Sequence, residues 1–149
     1  MRQFETAEEA YDVCLADGNI IPIKDVSEEI IRTSLCIVEE DLQSAIDAAA
    51  NKRWNSAYKT YYDVLHQLVE AFVRFDTMKI KTHLCLFTYI CVKHPELELH
   101  WDFFEKVRTK RNGIQYYASL VTEKDWKEAA LTFQLYIDLF KKKIEEKLN

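Results

Sequence analysis

The chain is poor in the residues that interrupt regular secondary structure. Its 149 residues include only two glycines and two prolines, whereas folds rich in turns need many of both. This scarcity favours long helices with short connections and argues against a fold of many short strands. No apolar run approaches the ~18 residues of a membrane-spanning helix, so the sequence predicts no membrane segment.

Sequence signals of metal and redox chemistry are missing as well. The four cysteines, Cys14, Cys36, Cys85 and Cys91, form no CxxC pair, and the four histidines lack ligand spacing such as HExxH. We therefore expect no metal and no cofactor. The cysteines are predicted to be four free thiols in a reducing cytoplasm. The acidic start of the chain lacks the apolar core of a signal peptide, which favours the same location.

Apolar and aromatic side chains, by contrast, are abundant. Hydrophobic residues make up 48% of the chain, with eight Phe, eight Tyr and three Trp, which is enough for the core of one domain spanning residues 1–149. The net charge is −5, opposite in sign to that of a sequence-independent nucleic-acid binder. Any anion site on this chain is therefore expected to be small and local.

Apolar residues recur every three or four positions in four long stretches, as in amphipathic helices. The stretches cover residues 27–50, 54–75, 97–114 and 122–148. Ser27 is a predicted N-cap, and Thr122 forms a predicted capping box with Asp125. The absence of strand alternation predicts an all-α, up-down helical bundle of four to five helices.

Two shorter segments complete the predicted architecture. Residues 5–17 predict a short first helix, and the remainder of residues 1–26 is a connector. Residues 80–92 are apolar on nearly every side, so this segment is either a short buried helix or a strand. Its long helical neighbours favour a helix, and Pro95 predicts where it ends.

Arg111 is the residue that fits the helical pattern least. It lies on an apolar stripe made by Leu97, Trp101, Phe104, Val107 and Ile114, next to a basic run of Lys106, Arg108 and Lys110. A charge on a core-facing stripe is costly unless it is paired or lies at a cleft. Two interpretations remain open: the guanidinium reaches solvent beyond a packed stem, or it is held in a groove to bind a phosphate or carboxylate.

The residues that follow Arg111 suit an anion site. Asn112 is a neutral hydrogen-bond donor, and Tyr116 and Tyr117 offer aromatic faces for stacking. At ~100° per residue, however, Tyr116 points ~140° away from Arg111 on a regular helix. The two residues share a site only if the helix ends near Gly113 or a second chain completes the site.

Two earlier stretches also contain candidate binding residues. Tyr62 and His66 are four residues apart beside an apolar stripe, where they either pack in the core or line a groove or oligomer interface. Lys81, Thr82 and His83 open the apolar segment, where Thr82 and His83 cap the helix or contact an anion. The alternative for His83 is a structural histidine with satisfied ring nitrogens.

These three stretches, in this order, resemble the HEPN domain superfamily, in its branch of small stand-alone prokaryotic proteins. The resemblance covers roughly residues 27–147. The family has a helix reading A/T-Y-Y-x-x-F/L-H, then a K-S/T-H segment, then Arg followed four to six residues later by His. The matching residues here are Thr60, Tyr61, Tyr62, Leu65 and His66, then Lys81, Thr82 and His83, then the stretch that opens at Arg111.

The resemblance implies a helical bundle that forms a homodimer, with the Arg motifs of the two chains facing one cleft. Nuclease members cleave RNA there without a metal, and their His and Arg act on the scissile phosphate. Many members work beside a small nucleotidyltransferase, often as toxin and antitoxin, and others bind nucleotides or are regulatory. A dimer is also predicted from Trp101, Phe103 and Phe104, because three such adjacent residues cannot all face the core of one chain.

This chain departs from the nuclease motif at Tyr116, which stands where the family has His. The stretch is similar to a branch that carries R-x-x-A-D-Y, with Gln115 in place of Asp. A phenol with a pKa near ~10 is a poorer base at neutral pH than an imidazole near ~6.5. We therefore expect a non-catalytic HEPN-type binding module rather than an enzyme.

The predicted ligand is a nucleotide, RNA or a partner nucleotidyltransferase. The predicted nucleotide- or RNA-binding residues are Arg111, Asn112, Tyr116, Tyr117, Lys81 and His83. Two alternatives remain: a metal-independent ribonuclease that uses Arg111, Tyr116 and His83, and a helical scaffold without a ligand.

Overall fold

The computed structural model describes residues 3–149, and 77% of the chain is helical. Within these residues the α-helices are α1 (Ala7–Ala16), α2 (Glu28–Ala50), α3 (Trp54–Val73), α4 (His83–Lys93), α5 (Trp101–Tyr117) and α6 (Glu123–Leu148). The predicted all-α class is confirmed. There are six α-helices rather than four or five, because the N-terminal segment and the short apolar segment each form a helix in addition to the four long ones. No helix in the described part is long and apolar enough to cross a membrane.

Local capping signals set several of the helix starts. The Ser27 side chain accepts a backbone N–H at the start of α2, and Thr122 and Asp125 form the predicted capping box of α6 at 3.1 and 3.0 Å. The Thr82 hydroxyl accepts the N–H of Cys85 at 3.1 Å, and this bond caps α4. The apolar segment is therefore a helix, as its long neighbours predicted.

Helix α3 lies at the centre of the bundle and packs against α2, α4, α5 and α6. Its large side chains Tyr58, Tyr62, Leu65 and Leu68 are completely or almost completely buried. Full burial of one such side chain contributes roughly 1.5–3 kcal/mol. Contacts with α3 therefore position the surrounding helices. The same contacts position the side chains of those helices that face α3.

A short β-ladder joins the predicted N-terminal connector to the residues just before α4. Strand β1 (Ile20–Pro22) pairs antiparallel with β2 (Met78–Ile80), with Ile20 opposite Ile80. Strands of three residues are too short to show alternation, so the sequence carries no signal for them. The ladder ties the segment after α1 to the segment just before α4.

The prediction of four free thiols is wrong for two of the cysteines. Cys14 on α1 and Cys85 in the first turn of α4 form a buried disulfide, while Cys36 and Cys91 are free. The bonded pair lies 71 residues apart in the chain. No spacing motif reveals it, because the two residues become neighbours only when α1 packs on α4.

The aromatic residues at the start of α5 are accommodated within one chain. Phe104 is fully buried and stacks on Phe87, with ring centres 4.7 Å apart. Phe103 packs against Tyr136 with ring centres 5.4 Å apart, and the Trp101 indole N–H donates to a threonine hydroxyl of α4 at 3.1 Å. Contacts within one chain account for these residues, so they give no argument for a dimer, and the homodimer stays a prediction that rests on the resemblance.

Candidate functional site

Arg111 lies between α3 and α5, with only 16% of its side chain exposed. Its Nη2 atom is 3.5 Å from Oδ1 of Asp63, and its Cζ atom lies 5.5 Å from the centre of the Tyr62 ring. The Nε atom is buried and has no hydrogen-bond partner among the described residues. A strong guanidinium–carboxylate bond is 2.7–2.9 Å long, so Asp63 satisfies this guanidinium only in part.

Tyr62 connects α3 to the first residue of α4. Its hydroxyl lies 2.8 Å from Nδ1 of His83. Burial raises the pKa of the Tyr62 phenol well above its usual range, although the nearby Arg111 and Arg108 charges act in the opposite direction. The phenol therefore keeps its proton, and according to the His83 tautomer it either donates to Nδ1, which places the ring proton on Nε2, or accepts from Nδ1–H.

His66 lies one turn after Tyr62 and stacks on His83, with ring centres 3.8 Å apart and the planes inclined at 29°. Burial, helped by His83 and Arg111, lowers the pKa of His66 to about 3. Burial and the charges of Arg111 and Arg108 also lower the pKa of His83. Both imidazoles are neutral at neutral pH, and the four residues Arg111, Tyr62, His66 and His83 form what we call the Arg111 cluster.

The two arginines near this cluster have different partners. Arg108 is buried and makes two hydrogen bonds to Glu105, at 3.2 and 2.8 Å, so its charge is compensated. Burial raises the pKa of the Asp63 carboxyl, and Arg111 opposes that effect. Asp63 is also 47% exposed, so water competes with Arg111 for its oxygens. Arg111 is therefore the less compensated of the two charges.

The structure does not bring the predicted tyrosines to Arg111. Helix α5 continues through Gly113 as far as Tyr117, so Tyr116 stays on a different face of the helix. Tyr116 and Tyr117 are 66% and 73% exposed, and within residues 3–149 no hydrogen bond or ring contact joins either of them to Arg111. Of the two conditions for a shared site, only completion by a second chain is left.

Asn112 and Tyr117 instead line a groove of about 720 Å³ beside α5, together with Trp101, Arg108 and Lys110. Arg111 does not line this groove. The charges at the groove are largely paired, since Lys110 Nζ lies 3.0 Å from a carboxylate oxygen at the start of α6. Lys81 is exposed in the turn before α4. Of the six predicted binding residues, only Arg111 and His83 belong to the cluster.

Sequence reasoning left Tyr62, His66 and Asp63 out of the predicted binding set. A signal existed for Tyr62 and His66, which are four residues apart on one helix and were weighed as groove residues. No signal existed for Asp63, because acidic residues on the outer faces of helices are common. Its role depends on α5 packing beside α3.

The arrangement is suited to binding an anion. Arg111 has one N–H without a partner and a guanidinium that is 16% exposed, His83 lies in the same cluster, and both belong to helices fixed by the core. Among the described residues, no group of three or more His, Cys, Asp or Glu side chains is placed to hold a metal ion.

In comparisons with known proteins, no family model, curated protein or solved structure matches this chain.

Proposed function

We propose that this chain is a non-catalytic HEPN-type binding module that holds a phosphate-bearing ligand, a nucleotide or RNA, at the Arg111 cluster. The observation that carries the proposal is the buried Nε of Arg111, which lacks an acceptor. Buried donors in proteins nearly always have a partner. A planar guanidinium is also well matched to the oxygens of a phosphate.

The wider role that we propose follows the resemblance. The module would be a cytoplasmic homodimer that works beside a small nucleotidyltransferase, as in toxin–antitoxin pairs. Tyr116 and Tyr117 are exposed, so in such a dimer they are available to contact the second copy or its ligand. Disulfides are rare in reducing compartments, so a cytoplasmic location requires that the fold tolerate reduction of Cys14 and Cys85.

Fluorescence anisotropy with a labelled nucleotide and a labelled single-stranded RNA tests the proposed site. We expect Arg111→Ala to weaken binding by at least ~10-fold, since a charged hydrogen bond contributes roughly 1.5–3 kcal/mol. Arg53→Ala, which removes an exposed arginine outside the cluster, should bind like the parent. Circular dichroism checks that both variants fold. Binding that survives Arg111→Ala, or a parent protein that binds neither probe, would overturn the proposal.

One observation favours a second function, metal-independent RNA cleavage. The neutral imidazoles of His66 and His83 lie in a cluster with a guanidinium, and an imidazole is the most frequent side chain in proton transfer. In this alternative, Arg111 holds the scissile phosphate and His83 is the base, with Tyr116 supplied by a second copy. RNA cleavage that persists in a chelator and disappears in both Arg111→Ala and His83→Asn would establish it in place of the non-catalytic function.

A further inference from the structure

The stacked imidazoles of the Arg111 cluster place a second group that can become positively charged beside the guanidinium. We propose that the cluster binds a dianion, the terminal phosphate of a monoester, together with one proton that His83 takes up. This inference rests on the proposed function, and it specifies the ligand class and the chemistry of binding at that same site.

The charges around the cluster leave room for an added proton. The carboxylate of Asp63, on α3, lies 3.5 Å from the Arg111 guanidinium and opposes its charge. On α5, the charge of Arg108 is compensated by Glu105. Glu70 is a further charged neighbour, with its Oε2 atom 3.9 Å from Nδ1 of His66, and the opposite charges of Lys59 and Asp41 both act on Asp63. With both rings neutral, the two arginines are outnumbered by the carboxylates of Asp63, Glu105 and Glu70, so these groups carry no net positive charge to balance a dianion.

His83 is the ring best placed to gain the proton. Once Nδ1 is protonated, it can donate to the Tyr62 oxygen 2.8 Å away, while Nε2–H remains free for the ligand. An anion next to Arg111 removes part of the repulsion that keeps this ring neutral. His66 stacks on His83 at 3.8 Å, and two positive rings at that separation repel strongly. Uptake should therefore stop at one proton.

The ligand class follows from this charge balance. A phosphodiester carries one negative charge, whereas a terminal phosphate monoester carries about −1.5 to −2 at pH 7. Arg111 and a protonated His83 direct two positive charges at the phosphate itself, one for each negative charge of the monoester. A nucleoside monophosphate or an RNA end should thus bind more tightly than an internal phosphate of an RNA strand.

Calorimetry with sulfate tests proton uptake, because sulfate remains a dianion throughout pH 5–8 and adds no proton of its own. Titrations in two buffers of different ionisation enthalpy count the protons bound. We expect close to one proton at pH 7, and an affinity that rises about tenfold for each pH unit that is lowered. His83→Asn should bind sulfate without proton uptake, while His94→Asn, a histidine outside the cluster, should behave like the parent.

Imidazole nitrogen chemical shifts provide a measurement that needs no variant. On addition of sulfate, His83 should change from the neutral to the protonated pattern while His66 stays neutral. Competition between adenosine monophosphate and the dinucleoside monophosphate ApA tests the ligand class, and we expect the monoester to bind at least ~10-fold more tightly.

The outcomes separate the two proposals. If sulfate, adenosine monophosphate and ApA all fail to bind, the proposed function and this inference fall together. If they bind in an Arg111-dependent way, but without proton uptake and with equal affinity for monoester and diester, the proposed function stands and this inference is wrong.

Discussion

Two clusters of histidine and tyrosine lie at opposite ends of α4, and they are satisfied to different degrees. At the C-terminal end, Nε2 of His94 lies 2.6 Å from Oδ2 of Asp76, and Nδ1 lies 3.3 Å from Oε2 of Glu96. The Tyr89 hydroxyl donates to the same Asp76 oxygen at 2.9 Å. In this Asp76 cluster, every donor faces a carboxylate. At the N-terminal end, the Arg111 cluster has more donors than acceptors.

The difference separates side chains that stabilise the fold from side chains that are placed for a ligand. A buried donor that lacks an acceptor lowers stability, and a charged donor lowers it more. The Asp76 cluster should therefore contribute to folding. The Arg111 cluster should reduce stability until an anion is bound, as is common at functional sites. The predictions below test this contrast, starting with the largest effect.

Removal of the Cys14–Cys85 disulfide should have the largest effect, because this bond holds α1 against the end of α4 that carries the Arg111 cluster. For a loop closed over 71 residues, we expect a loss of about 4 kcal/mol in the free energy of unfolding. Urea unfolding of the Cys14→Ala, Cys85→Ala double variant measures this, with Cys36→Ala as the control. An unchanged urea midpoint would show that packing alone holds α1 in place.

Asp76→Asn should destabilise the protein by about 1.5–3 kcal/mol, because Tyr89 and His94 lose a charged acceptor. Asp138→Asn is the matched control, since Asp138 is exposed and accepts one hydrogen bond from its own helix. Thermal unfolding of both variants measures the difference. Equal, small effects of the two substitutions would contradict a stabilising role for the Asp76 cluster.

The pH dependence of stability should reveal the lowered pKa of His66 in the Arg111 cluster. The pKa of His66 is about 3 in the folded protein and near ~6.5 when unfolded, so between these values the unfolded chain binds more protons. Stability should then fall as the pH is lowered, by about 2 kcal/mol between pH 6.5 and pH 5. In His66→Asn this contribution disappears. If the parent and His66→Asn lose stability in parallel as the pH is lowered, the contribution of His66 would be contradicted.

Arg111→Met should raise the free energy of unfolding by about 1 kcal/mol, because it replaces a poorly paired buried charge with an apolar side chain of similar length. The expected sign is opposite to that of Asp76→Asn, and this contrast defines the two clusters. Chemical denaturation without any anion in the buffer measures it. A loss of more than ~1 kcal/mol would mean that Arg111 is a structural residue.

The parts of the fold that could be predicted from the sequence depend on local signals. Ser27 and Thr122 carry their caps within three or four residues, and apolar periodicity reveals the long helices without knowledge of their packing. That the apolar segment 80–92 forms a helix, which begins at His83, could be inferred only from the neighbouring helices, because an apolar segment of that length fits a buried strand as well.

The remainder depends on contacts between residues that are distant in sequence. No sequence spacing indicates the disulfide between Cys14 and Cys85, because the two cysteines are neighbours only through the packing of α1 against α4. Arg111 and His83 were both predicted as binding residues, but the Tyr62 hydroxyl that fixes His83 requires α3 to lie beside α4. Tyr116 was placed near Arg111 only on the condition that the helix end near Gly113 or that a second chain complete the site, and a single helical glycine was not enough to end the helix.

The central position of α3 has a consequence for hydrogen exchange. Its neighbours cover it on several sides, so its amides can exchange only when the bundle opens as a whole, and their protection should equal the global stability. Helix α1 packs mainly on α4, and its amides should exchange through a smaller, local opening. The Arg111 cluster spans α3, α4 and α5, so an anion bound there should slow exchange in the first turn of α4 more than in α1.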